Sequence, residues 1–195
     1  MIQIKLTETE SELRGILELQ KINLLSELSD SEKSEQGFVT VQHSLDQLRL
    51  MHNLEPHVVA KEGDKVIGYI LAMTKESKNL VSVLVPMFEQ FDRLIYVEKL
   101  LSAYDYMVIG QICVDKAFRG QGIFDKMYGI YRSTFSGRYD FAITEIALTN
   151  IRSLKAHERV GFRIIHEFED TTQTWAIVLL DWSFDKSRSE KDSEA

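Results

Sequence analysis

Apolar residues along the chain recur with two different periods, one strand-like and one helical, and the switches between them mark its elements. Ile2–Leu6 alternates apolar and polar as a short strand does, and Ser11–Leu25 then carries Leu13, Ile16, Leu17 and Leu24 at helical spacing. The polar stretch Ser26–Gly37 reads as a loop, and Val41–Met51 as a second helix through Leu45, Leu48 and Met51. Two β-rich runs, His57–Ala60 and Val66–Met73, flank a Gly63-Asp64 turn and predict an antiparallel pair. Between Thr74 and Tyr104, Phe88, Phe91, Leu94 and Ile95 follow Pro86 at helical spacing and predict one or two helices. Tyr106–Val114 and Tyr139–Ile146 read as strands, Gly122–Phe135 and Asn150–Val160 as helices, and Arg163–Phe168 with Trp175–Trp182 as a last antiparallel pair. Hairpins mixed into strand–helix–strand units imply an α/β fold with a mixed sheet covered by helices.

Length and composition narrow the function classes. A chain of 195 residues without repeats fits one domain, spanning residues 1–182, and the charged, serine-rich residues 183–195 predict a disordered tail. No apolar run approaches the ~20 residues that cross a bilayer, and the first residues lack the order of a secretory signal, so a cytoplasmic protein without a membrane partner is expected. The single cysteine, Cys113, excludes an internal disulfide framework, and no Cys/His cluster suggests a metal. A net charge of −7 argues against nucleic acid as a partner. It favours cationic partners, or serves only to keep the protein in solution.

Candidate chemistry begins with VDKAFRGQGIFDKMYGIY, residues 114–131. A helix N-terminus carries unpaired N–H groups and the positive end of its dipole, and glycines let the backbone approach a ligand, so Arg119-Gly120-Gln121-Gly122 between strand and helix suits phosphate oxygens. No Gly-Lys-Ser/Thr follows, so this is not a Walker loop, and only G-x-G of the dinucleotide fingerprint is present. Ile123, Phe124, Met127, Tyr128, Ile130, Tyr131 and Phe135 form one broad apolar helix face behind the loop. Further on, NIRSLKAHERVGF, residues 150–162, places Asn150, Ser153 and His157 on one helical face and ends in Gly161, a left-handed cap, followed by apolar Phe162.

These two segments resemble the GNAT family of N-acetyltransferases. Its [Q/R]-x-x-G-x-[G/A] loop follows the fourth strand, and Arg119–Gly122 supply the first four positions. Its N-x-x-[A/S]-x-x-x-[Y/H]-x-x-x-G-F segment matches Asn150–Phe162. Phe124 departs from the pattern, where the family prefers glycine or alanine. It is read as a packing residue whose ring leaves the phosphate loop, the alternative being a loop that binds cofactor differently. The resemblance is sharpest over Tyr106–Phe162 and implies the acyl-CoA N-acyltransferase fold, a mixed, mostly antiparallel sheet with helices on both faces. The cosubstrate it implies is acetyl-CoA, with no metal. Its pyrophosphate would lie on the loop Arg119, Gly120, Gln121, Gly122 and Ile123, and its pantetheine arm along Ile112, Cys113, Val114, Asn150 and Ser153. The reaction implied is direct attack by a primary amine of a small molecule. A protein or peptide amine, and a noncatalytic acyl-CoA-binding protein, are the alternatives.

Four further roles remain open on the sequence alone. His157, implied to lie near the sulfur, would return a proton to the departing thiolate, or would only pack its helix. Glu145 shares a strand face with Phe141 and Ile143 and would take the ammonium proton, or would sit at the rim in water. Cys113 lies within a strand with no recognisable base beside it and is read as a small packing residue rather than a nucleophile. Phe88, Phe91, Tyr96 and Tyr104, in the insertion 75–104, would wall an acceptor pocket or pack on the sheet or on the other subunit of a homodimer. His43, His52, His57 and His166 are scattered and carry no assigned role.

Overall fold

Capping chemistry fixes where the first two helices begin. The structure is a computed structural model that describes residues 1–24, 39 and 41–183. Thr9 caps α1 (Glu10–Lys21) and Ser44 caps α2 (Leu45–Leu54), each side chain accepting the N3 amide while Glu12 or Gln47 reaches back to the cap N–H. The apolar period alone misplaces both helices. It runs α1 on to Leu25, whereas Leu24 instead bridges Val39, and it starts α2 at Val41, ahead of its cap. The expected loop Ser26–Gly37 and the tail from residue 184 lie outside the described residues.

The strands are β1 (Ile2–Leu6), β2 (Val58–Glu62), β3 (Lys65–Met73), a small hairpin of β4 (Ile95–Tyr96) and β5 (Lys99–Leu100), β6 (Tyr106–Val114), β7 (Phe141–Ala147), β8 (Arg163–Glu169) and β9 (Thr174–Asp181). Three helices complete the set: α3 (Val85–Arg93), α4 (Ile123–Phe135) and α5 (Ile151–Arg159). Seven strands form one sheet in the order β1-β2-β3-β6-β7-β9-β8, antiparallel except for β6 and β7. Helices cover both faces, as expected. On one, Leu13 and Ile16 of α1, Leu48 and Met51 of α2, and Phe88 and Phe91 of α3 join a core with Tyr69, Val108, Ile143 and Ile177. On the other, Ile123, Met127, Tyr131 and Phe135 of α4 join Ile70, Met107, Ala142 and Val178.

Two irregularities in this sheet open the site. The parallel pairing of β6 with β7 covers only Tyr106↔Phe141, Met107↔Ala142 and Val108↔Ile143, after which the strands part. Thr144 holds the fork by donating its hydroxyl to the Ile109 carbonyl at 2.8 Å. Just beyond it, β3 pairs Ala72 with Ile109 and Leu71 with Gln111, so Gly110 is skipped as a bulge. A Cβ there would lie 2.3 Å from the Met73 sulfur, which explains the glycine.

Residues 75–104 hold one α-helix, α3, of the one or two expected, and depart from a helix on either side of it. Short 3-10 turns lead into α3, and the chain then reverses through the β4–β5 hairpin, with Val97 and Glu98 at positive φ (45° and 69°). A type of turn that commonly uses Asn-Gly is here made by Val-Glu, so no local turn signal announces it. Phe88 and Phe91 are buried in the core, and Tyr96 and Tyr104 pack edge-on to Phe141 at the closed end of the fork, with ring centroids 5.7 and 5.3 Å away. All four are packing residues of the sheet.

Candidate active site

Phosphate chemistry at the turn before α4 rests on two left-handed glycines. Gly120 has φ +77° and Gly122, the N-cap, φ +72°, and the space where a Cβ would project from each is open. The first helical bond of α4 runs from Lys126 N–H to Gly122 O, which leaves the N–H groups of Ile123, Phe124 and Asp125 outside the helix's own ladder. Such an arrangement of backbone N–H groups at a helix N-terminus can receive an anion. Arg119 lines a cleft beside these glycines and is also tied to the scaffold behind them. Its guanidinium donates to Val114 O and to Asn23 Oδ1, both at 2.9 Å, and so pins the loop to the end of β6 and to the chain after α1. Gln121 turns away, its amide meeting Ala117 O on the far side of the loop.

The cleft, of about 550 Å³, runs from this turn along β6 to α5. It brings together Ile112, Cys113, Val114, Arg119, Gly120, Gly122, Ile123, Asn150 and Ser153 of the expected cofactor residues. Burial raises the Cys113 thiol to about 12, so it stays protonated and packs between strands. The sequence reading missed the cations of the opposite wall. Arg152, Lys155 and Arg159 line the cleft from α5, at i, i+3 and i+7, a spacing that was visible in the sequence as one helical face. Arg159 pairs with Asp125 at 2.6 Å and lies over the Phe124 ring. Phe124 itself packs against Tyr128 and His157, with centroids 5.0 and 5.3 Å apart, leaving the glycine turn to the backbone.

The α5 helix is held at both ends by its sequence. Asn150 caps it, accepting Ser153 N–H at 3.2 Å. Gly161 ends it at φ +104°, with Phe162 N–H bonded to His157 O and Gly161 N–H to Glu158 O, the paired bonds of a Schellman cap. His157 therefore sits in an aromatic box with Phe124, Tyr128 and Phe162. Its Nδ1 lies 2.8 Å from Ser153 O, and because a carbonyl only accepts, Nδ1 carries the proton and Nε2 a lone pair. Nε2 is buried without a partner, and burial lowers the imidazole to about 4. The neutral ring thus offers its neighbours an acceptor, the opposite of the proton-bearing atom expected near the sulfur.

Strand alternation separates the fork into two sides. Phe141 and Ile143 face the α1 side and Ala142 and Ile146 the α4 side, so Glu145 faces the α1 side, away from His157 and Ser153. A smaller void of about 80 Å³ inside the fork touches both sides: Gly110, Gln111, Glu145 and Trp175 as well as Asn150, Ser153 and His157. Glu145 is half-buried, with one carboxyl oxygen covered. Its Oε2 is buried without a partner, and burial, then the negative charge of Asp170, raises its carboxyl to about 7. Gln111 anchors a buried network on the same side, accepting from Tyr69 (2.5 Å) and Gln20 (2.7 Å) and donating to Val41 O. Neither Gln111 nor Trp175 was legible beforehand, because their meeting depends on the bulge and on cross-strand register.

Residues 22–162 match the family model described as Acetyltransferase (GNAT) family. No curated protein sequence matches the chain. Among solved structures, the ribosomal-protein-S18-alanine N-acetyltransferase of Escherichia coli is similar at 13% identity and TM-score 0.58, with 94% of this chain and 95% of that one covered. A GNAT-family acetyltransferase of Streptococcus agalactiae reaches TM-score 0.62 at 12% identity over 92% and 95%. The yncA protein of Salmonella typhimurium, solved with its cofactor acetyl-CoA, gives 0.58 at 13% over 93% and 94%. At these identities the likeness is one of fold.

Proposed function

The chain belongs to the acetyltransferase (GNAT) family and is an acetyl-CoA-dependent N-acetyltransferase, and from that premise we propose that it acetylates a primary amine of a small molecule by direct attack through the fork between β6 and β7. One observation carries this reading. The fork has a glycine turn suited to phosphate and a capped helix on one side and, on the other, a half-buried carboxyl whose Oε2 has no partner.

The residues present fit the cosubstrate. The open Cβ space at Gly120 and Gly122, the free first turn of α4 and the cations of α5 suit a pyrophosphate. Ile112 and Val114 of β6, with Asn150 and Ser153 of α5, would hold the pantetheine arm. When bound, acetyl-CoA supplies an acyl group activated by its thiolate leaving group. Glu145 takes the proton of the incoming ammonium, a task suited to a carboxyl titrating near pH 7. Gly110 is skipped in the β3 register and lies beyond the last β7 pair, and a backbone N–H at this irregular point would meet charge developing on the acyl oxygen, a contribution of about 3 kcal/mol per donor. His157 orders the first turns of α5 through Ser153 O and presents Nε2 as an acceptor, which makes it a positioning residue. Cys113, kept as a thiol, forms no covalent intermediate.

A peptide amine is the second reading, favoured by the E. coli neighbour named for the alanine of a ribosomal protein. Calorimetric titration with acetyl-CoA, using Gly122→Glu as control, tests the cofactor assignment, and release of free CoA thiol with small amines or with short peptides tests the acceptor. Micromolar binding lost in Gly122→Glu and thiol release with small amines are expected. Absence of acetyl-CoA binding to the wild type would overturn the reading.

A further inference from the structure

Beside Glu145 lies an aromatic side chain that the mechanism above does not use. Trp175 begins β9 opposite Ala147 of β7 and Phe168 of β8, and Glu145 pairs with Ile177 two residues further along the same strand. Side chains two apart on a strand share a face, so the indole and the carboxyl stand as diagonal neighbours on the α1 side, and both line the void in the fork. The indole is fixed in place. Its Nε1–H donates to Asp170 Oδ2 at 2.8 Å, and the other oxygen of Asp170 accepts Thr172 N–H (2.7 Å), Thr172 Oγ1–H (2.6 Å) and Gln173 N–H (2.9 Å). The turn between β8 and β9 is therefore a latch that holds the ring.

We infer that Trp175 is the specificity residue of the acceptor side, and that it selects primary amines carried on an unbranched apolar chain, with the ammonium at Glu145 and the adjoining methylenes along the indole. The inference rests on the acetyl-transfer reading above and names its acceptor class. A ring face beside a carboxylate attracts an alkylammonium twice, through the charge and through the π system. On the side where Glu145 and Trp175 stand, the other walls are apolar or already committed, while Asn150, Ser153 and His157 line the opposite, cofactor side of the void. Val39 and Ala147 offer no side-chain hydrogen bond. Gln111 Oε1 already accepts from Tyr69 and Gln20 and its amide donates to Val41, while the Thr144 hydroxyl is given to Ile109 O. A carbonyl on the carbon next to the amine, as in a peptide N-terminus, meets few open partners among the described residues and is penalised for its lost hydration.

The test compares n-butylamine with glycinamide as acceptors in wild type, Trp175→Ala, Trp175→Phe and Asp170→Ala. Trp175→Ala should raise KM for n-butylamine at least tenfold with kcat within threefold and acetyl-CoA affinity unchanged, while KM for glycinamide moves less than threefold. Trp175→Phe should recover most of the loss, and Asp170→Ala, which frees the ring, should fall between. An unchanged KM for n-butylamine in Trp175→Ala, or equal rises for both amines, would overturn the inference. If the wild type binds acetyl-CoA and turns over neither amine, saturation-transfer NMR with n-butylamine decides: a signal lost in Trp175→Ala supports the platform, and no wild-type signal overturns it. Failure of acetyl-CoA binding strikes the function proposed above, and the NMR arm on the free protein still judges Trp175.

Discussion

Replacing Glu145 by Gln removes the carboxyl that lines the void on the acceptor side and keeps its volume, so it isolates the proton transfer. With the wild type, the amine arrives as ammonium and Glu145 must be ionised, so kcat/KM rises with pH through about 7 and then levels. The amide side chain introduced by Glu145→Gln accepts no proton at these pH values, so the variant depends on amine that is already free base. For an alkylamine with a pKa of about 10.4, that fraction is roughly one in 2,500 at pH 7. The variant should therefore lose about 10³-fold in kcat/KM at pH 7, equivalent to about 4 kcal/mol of barrier. Its defect should shrink about tenfold for each unit of pH and come close to vanishing near pH 10. The assay is free-thiol release from acetyl-CoA at several pH values between 6.5 and 9.5, with acetyl-CoA saturating. A defect below tenfold at pH 7, or one constant across that range, would refute the reasoning, because only a base acting on the ammonium makes the loss follow the amine's own titration.

The same carboxyl governs stability in the opposite direction. Its folded pKa of about 7 lies above the unfolded value near 4.5, so the native state holds the extra proton between them and stability declines as pH rises through that window, by about 3 kcal/mol in all. Glu145→Gln should accordingly melt higher than wild type at pH 8 and about equally at pH 4.5, measured by thermal denaturation. Three buried histidines act with the other sign: His43 and His157 are held near 4 and His57 near 3, all by burial first. Each remains neutral in the native state while the unfolded chain takes up protons below about pH 6.5, so each should cost about 2 kcal/mol of stability at pH 5. A Glu145→Gln protein, free of the opposing carboxyl, should show this acid loss in full. Gly122→Ala, which puts a Cβ on a residue at φ +72°, should weaken acetyl-CoA binding in calorimetry while leaving Glu145-dependent pH behaviour intact.

The backbone features of the cofactor side were largely legible in the sequence because they are local. A glycine-rich turn at a helix start and a Gly-Phe helix stop each act within one turn of chain, so Gly120, Gly122 and Gly161 could be placed from the sequence, whereas Asn150 was singled out for the family resemblance and its capping bond to Ser153 N–H emerges in the folded helix. The hairpin in residues 75–104 was illegible because Val97 and Glu98 turn the chain without turn residues. The charge of Arg119 beside the loop was visible in the sequence, whereas its partners, Val114 O and Asn23, are set by how β6 and the end of α1 meet.

By itself, then, the sequence determined the alternation of strands and helices, the family loop and the capped helix, since hydrophobic period and backbone capping depend on near neighbours. Only the tertiary structure decided the acceptor side. The direction of the His157 lone pair follows from one carbonyl in the folded helix. The raised carboxyl of Glu145 follows from enclosure within a fork that exists only where β6 and β7 stop pairing. The place of Trp175 follows from a register between strands about thirty residues apart. Each of these is a long-range arrangement, and desolvation and cross-strand geometry have no counterpart in residue spacing.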